Sequence, residues 1–129
     1  MVELRADISD GTSAFTCRAY AGHDLLADAV RSLASFRHHV HGGVFDLRFG
    51  EFGPEFAGGA FHARLHFAEP GRLFGSVHQQ SSFAPFALGN RASEARLYFT
   101  SEPNQLDEFV SQLCGLSEGS LVSATLTGA

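Results

Sequence analysis

The sequence contains no lysine: all nine basic residues are arginine, set against fourteen acidic ones, for a formal net charge of −5. A general nucleic-acid binder needs a basic stripe to neutralise phosphates, so this balance argues against one. Tryptophan is absent too, while phenylalanine occurs thirteen times, so the core or surface is rich in flat rings. No run approaches the roughly 20 apolar residues of a membrane-spanning helix. Met1 to Asp10 shows neither a cationic start nor an apolar stretch, so no signal peptide is expected and the chain reads as cytoplasmic. The two cysteines, Cys17 and Cys114, lie in apolar patterns without CxxC spacing. Two buried thiols are the expectation there, with a disulfide or a nucleophile as the alternatives. No GxSxG is present, and the pairs Gly42-Gly43 and Gly58-Gly59 lack a phosphate-loop lysine and dinucleotide spacing. No cofactor is expected.

What is present is periodicity. With 44% apolar and 18% charged residues over 129 positions, the chain reads as one globular domain spanning residues 1–129. Val2, Leu4, Ala6 and Ile8 alternate with Glu3, Arg5 and Asp7, and after the turn DGT the pattern resumes with Phe15, Cys17 and Ala19. That predicts an opening hairpin. The period then changes. Leu26, Ala29, Val30, Leu33, Phe36 and Val40 recur at three- and four-residue spacing, predicting a helix over Asp24–Val40 that is capped by His23 or Asp24 and stopped at Gly42-Gly43. Its last turn gathers Arg37, His38, His39 and His41, where the helix dipole favours positive charge. A metal site in RHHVHGG is the weaker alternative.

Alternation returns at Val44–Phe52, Ala60–Ala68, Leu73–Gln80 and Ala92–Thr100, with FGEFGPEFAGG and SSFAPFALGN between as loops. Ser101 is a candidate N-cap and Pro103 fits a first helical turn, opening a helix with a Leu106, Phe109, Val110 and Leu113 stripe that ends at Gly115. Leu121–Thr127 is a candidate last strand. The order ββαββββαβ predicts an α+β fold. Its simplest form is a single antiparallel sheet with both helices on one face, and a strongly curved sheet closing partly around a helix is the alternative.

Three histidines and an arginine fall at alternate places in FHARLHFAEPGRLFGSVH. A three-residue loop over Pro70–Arg72 puts Phe61, Ala63, Leu65 and Phe67 on one face with Leu73, Gly75 and Val77. His62, Arg64 and His66 then share the other face with Phe74, Ser76 and His78. His62 and His66 stand roughly 13 Å apart along the strand, too far to share a metal ion. His78 is close enough to join either, with Asp46 or Glu94 as a further ligand. Arg64 inside this group weakens the metal reading and suits an anion or a carboxylate-bearing partner. The plainer account is a solvated sheet face. The candidate ligand-binding residues are therefore His62, Arg64, His66 and His78, with no catalytic or metal-binding residue assigned.

Phe49, Phe52, Phe56, Phe83 and Phe86 cannot all reach the core by simple alternation. Either they fold inward to close the core, or some form an exposed interface, for which Phe52, Phe56, Phe83 and Phe86 are the candidates. The element order, the helix DLLADAVRSLASF and the block ARLYFTSEPNQLDEFVSQL resemble small bacterial α+β domains of unknown function, some of them similar to immunity proteins encoded beside secreted toxins. The resemblance implies an acidic single-domain protein that acts by binding, and it transfers no residue role. The leading expectation is a non-enzymatic interaction protein, an acidic immunity-type inhibitor or a homodimeric accessory domain, with a protein partner or self-association and neither nucleic acid nor membrane as target. A small-molecule or anion-binding protein, or a metal-dependent enzyme, using the histidine face is the alternative. A structural subunit of a larger assembly is a third.

Overall fold

The structure, a computed structural model, describes residues 2–38, 42–55, 57–119 and 122–128. It is an α+β chain with two helices and mostly antiparallel strands. The strands are β1 (Val2–Ser9), β2 (Ala14–Ala21), β3 (Val44–Gly50), β4 (Ala60–Glu69), β5 (Arg72–Gln80), β6 (Ala84–Phe86), β7 (Gly89–Arg91) and β8 (Glu94–Ser101). The helices are α1 (His23–Phe36) and α2 (Pro103–Glu118). Where one sheet was the simplest expectation, the strands of the described residues form three: the β1–β2 pair, a four-stranded sheet in the order β3-β4-β5-β8, and the β6–β7 pair. Among the described residues no helix is long and apolar enough to cross a membrane.

The chain divides into two compact units, each assembled from three segments. The first contains Met1–Gly22, Asp46–Ala63 and Ser76–Tyr98. Its β1–β2 hairpin sets apolar residues opposite one another, Leu4 across from Ala19, Ala6 from Cys17 and Ile8 from Phe15, so one face is apolar throughout. The other face holds Arg5 and Asp7, Thr16 and Asp7, and Arg18 and Glu3 in exposed polar pairs. The turn is closed by Asp10, whose Oδ1 accepts the backbone N–H of Thr12 at 2.9 Å and of Ser13 at 2.7 Å. Cys17 is buried and unbridged. Burial pushes its thiol pKa up, the condition of an inert core cysteine.

The second unit contains His23–Phe45, Arg64–Gly75 and Phe99–Ala129. In α1 the stripe Leu26, Val30, Leu33 and Phe36 is buried, and the Phe36 ring stacks on Phe67 of β4 with centroids 5.4 Å apart. In α2 the buried residues are Leu106, Val110 and Leu113, and the two helices pack on one another. A Cβ on Gly75 would enter the Phe99 ring, so glycine is what admits that ring to the sheet.

Several boundaries differ from the sequence expectation, each for a local reason. Helix α1 ends at Phe36; the expected continuation through His39, Val40 and His41 lies outside the described residues. Ser101 is not the N-cap of α2. It closes β8, its hydroxyl is held between Gln105 Oε1 and the Thr127 carbonyl, and Glu102 caps the helix through its extended backbone alone. Gly115 does not stop α2, because a helix interior tolerates a glycine, and the left-handed Gly119 at φ 83° does. The expected last strand is not formed over the described residues 122–128. Their bonds go instead to side chains, with the Thr125 N–H donating to Gln112 Oε1 at 2.7 Å. The expected loop at Ser81–Asn90 contains β6 and β7, and Arg72 belongs to β5, leaving Pro70-Gly71 as the turn.

Candidate functional site

The faces of β4 and β5 follow from alternation. Ala63, Leu65 and Phe67 are buried, as are Leu73, Gly75, Val77 and Gln79. His62, Arg64 and His66 occupy the opposite face of β4, as Phe74, Ser76 and His78 do in β5. The four candidate ligand-binding residues divide two and two between the units: His62 and His78 in the first, Arg64 and His66 in the second.

In the first unit each histidine meets a carboxylate from a neighbouring strand. His62 Nε2 lies 2.7 Å from Asp46 Oδ1, on β3. His78 Nε2 lies 2.8 Å from Glu94 Oε1, on β8. Against an ionised carboxylate, which only accepts, an imidazole Nε2 takes part as the donor. The imidazole faces are used too. Phe52 lies over His78 with centroids 4.2 Å apart and planes 9° from parallel. In the second unit His66 meets the Phe74 ring at 5.8 Å, and Arg64 is exposed on its strand. Asp46 and Glu94, candidates for a further metal ligand, approach the histidines as hydrogen-bond partners, one apiece. Among the described residues no group of three or more histidine, cysteine, aspartate or glutamate side chains is placed to hold a metal ion.

The phenylalanines separate by environment. Phe49 is buried against Phe61. Phe52 and Phe83 are half-buried, the first by its stack on His78 and the second in a stretch whose backbone N–H donates to Ala57 O at 3.2 Å. Phe56 lies outside the described residues. Phe86 is 71% exposed. Beside it Leu88, which no alternation pattern singled out, is 88% exposed. Both stand on the β6–β7 hairpin, whose residues from Ala84 to Gly89 are all exposed. Tyr20 and Tyr98 are also exposed, at 48% and 70%. Their places on the polar side of β2 and β8 were legible from alternation.

Among the described residues of the Gly50–Gly59 loop, Gly50, Glu51 and Gly53 line, with Tyr20, an open surface hollow of about 320 Å³. The loop is pinned at several points. The Gly53 N–H donates to Gln80 Oε1 at 2.8 Å, Ala57 N–H to Pro54 O at 2.9 Å, and Ser82 Oγ to Gly58 O at 2.9 Å. Gly59, at φ 112°, lies so close to the Arg18 carbonyl that a Cβ would overlap it. Compared with known proteins, the chain matches no protein-family model, no curated protein and no solved structure at a significant level.

Proposed function

We propose that this chain is a non-enzymatic, cytoplasmic interaction domain that binds a protein partner, of the immunity-type inhibitor kind or a second copy of itself, through the β6–β7 hairpin. The observation that carries this reading is the exposure of Phe86 and Leu88, 71% and 88%, on a two-stranded element of its own. A two-stranded hairpin gains little by itself, and burying a phenylalanine or leucine side chain is worth about 1.5–3 kcal/mol each. Leaving both in water gives up that stabilisation within the monomer and offers it to an interface, where a buried aromatic anchor is the common source of affinity. The net charge of −5 suits a basic partner, because opposite charge speeds encounter. Nucleic acid is the opposite case, since like charges repel.

The histidine face supports the same reading by what its groups already do. His62 and His78 have their Nε2 atoms engaged by Asp46 and Glu94, which leaves Nδ1 of each ring for any further ligand.

Sedimentation of the protein from its native cells tests the proposal. The wild type is expected to travel as a species larger than its 13.8 kDa monomer. The Phe86→Ser/Leu88→Ser variant is expected at monomer mass with its melting temperature unchanged. If wild type and variant sediment alike, the hairpin is not the contact.

A further inference from the structure

We propose that the β6–β7 hairpin engages its partner as a wedge, with Phe86 and Leu88 entering an apolar pocket of a different protein while the Arg91 guanidinium meets a carboxylate at that pocket's mouth. This rests on the interaction reading above and names what the contact recognises.

The register of the hairpin gathers the groups. Ala84 pairs with Arg91, Pro85 with Asn90 and Phe86 with Gly89, and directly paired residues of an antiparallel ladder share a face. One face therefore carries Ala84, Phe86 and Arg91, and the other Pro85 and Asn90. Gly89 has no side chain, so its place across the ladder leaves the Phe86 ring uncovered. A Cβ placed on Gly89 would lie 3.3 Å from Arg91 Nη1, so the guanidinium reaches along its strand toward the tip, to the position opposite Phe86. Ala87 and Leu88 form the turn that ends the wedge.

The charge on Arg91 is unanswered within the chain. Among the described residues its guanidinium makes no ion pair, and Nη1 donates to the Asn90 carbonyl at 2.9 Å. No aspartate or glutamate occurs between Glu69 and Glu94, and Glu94 is engaged by His78. A net charge of −5 draws a basic partner from a distance, yet a basic wall would repel Arg91 at contact. The contact accordingly needs an acceptor there, and a planar guanidinium suits a carboxylate.

Two other modes fit worse. Strand addition needs a long edge with N–H groups to offer, whereas β6 and β7 have three residues each and Pro85 has no N–H. Hairpins of two copies laid face to face would need about 20–30 residues a side for a stable interface, and the exposed run Ala84–Gly89 is far shorter. A pocket that surrounds a narrow projection uses both of its faces, and buried aromatic and arginine anchors carry most of the energy of such contacts.

The absence of lysine from the chain makes the test direct. Arg91→Lys keeps the charge and introduces the chain's one side-chain amine, which a water-soluble carbodiimide condenses with a carboxylate in contact. The complex is isolated from native cells through the full chain carrying a lysine-free tag, treated, and mapped by mass spectrometry. The expected product is a single amide between position 91 and an aspartate or glutamate of one other protein, while Asn90→Lys, on the opposite face, gives none. Arg91→Glu is expected to speed dissociation of the complex about tenfold, with its melting temperature unchanged. The wedge is overturned if position 91 couples to nothing outside its own chain, if it couples to a second copy, or if Arg91→Glu dissociates at the wild-type rate. It is also overturned if the wild type floats with phosphatidylglycerol vesicles and Phe86→Ser/Leu88→Ser does not, since the hairpin would then be a lipid anchor. A complex that is lost in Phe86→Ser/Leu88→Ser but indifferent to Arg91→Glu ends the wedge and leaves the interaction reading standing. A wild-type chain that isolates alone ends both.

Discussion

Asp10 and Gln79 show how much single side chains decide here. Asp10 receives two backbone N–H groups in the β1–β2 turn, chiefly that of Ser13 and then that of Thr12, and they hold its carboxyl below the ordinary value of 3.8. Because the native pKa is depressed, the contribution is fully present above the unfolded value and is lost as pH falls through the native one. Asp10→Ala is therefore expected to lower the melting temperature at neutral pH, with the deficit shrinking below about pH 4; melting curves across pH 2 to 7 check this. Asp7 is lowered in the same direction, first by the Thr16 hydroxyl. Gln79 is the reverse case. It is 0% exposed, yet its Nε2 and Oε1 have no hydrogen-bond partner among the described residues. A buried polar group without a partner costs about 1–3 kcal/mol. Gln79→Met keeps the side-chain volume and removes the polar atoms, so it is expected to raise stability by about 1–3 kcal/mol in urea denaturation. A destabilised variant would mean the amide is satisfied in solution. The carboxylate–histidine pairs lie closer to neutral, since partly exposed pairs of this kind contribute about 0.2–1 kcal/mol.

At the scale of elements, periodicity was legible and termination was not. The strands Val2–Ser9, Ala14–Ala21 and Val44–Gly50 and the helix from His23 follow from two- and 3.6-residue spacing, because one face of each must be apolar. The parity of β4 and β5 was legible for the same reason: a one-residue slip would put His62, Arg64 and His66 where Leu65 and Phe67 lie. Helix ends were not. Ser101 is drawn from the cap in part by the Thr127 carbonyl, 26 positions away, and the choice of Gly119 over Gly115 rests on which glycine turns left-handed and returns its N–H to the last carbonyls. The β6–β7 hairpin was illegible because APFALGNR alternates weakly and its proline argued against a strand. The carboxylate partners of His62 and His78 were half legible, since Asp46 and Glu94 were the nearest acids by face, but their one-to-one pairing depends on strand order. These elements also rank by burial. Leu33 is 0% exposed and Leu25 52% exposed on the same helix. Leu33→Ala is expected to cost about 2–5 kcal/mol and Leu25→Ala less than about 0.5. Equal losses in chemical denaturation would show that α1 does not bury the face described.

The whole molecule combines buried apolar faces with a net charge of −5 and leaves a few large apolar groups in water. His62 and His78 have carboxylate partners and Cys17 is buried, while Phe86 and Leu88 stand in water. That contrast is the basis for reading it as a binder. The most direct test places a photo-crosslinking amino acid at Leu88, with a second at Asp28 on the exposed side of α1 as the control, in living cells. The account predicts one discrete adduct from position 88, with a single protein species, and none from position 28. Adducts of equal yield from both positions, or none from position 88 in cells where the protein is folded, would contradict it.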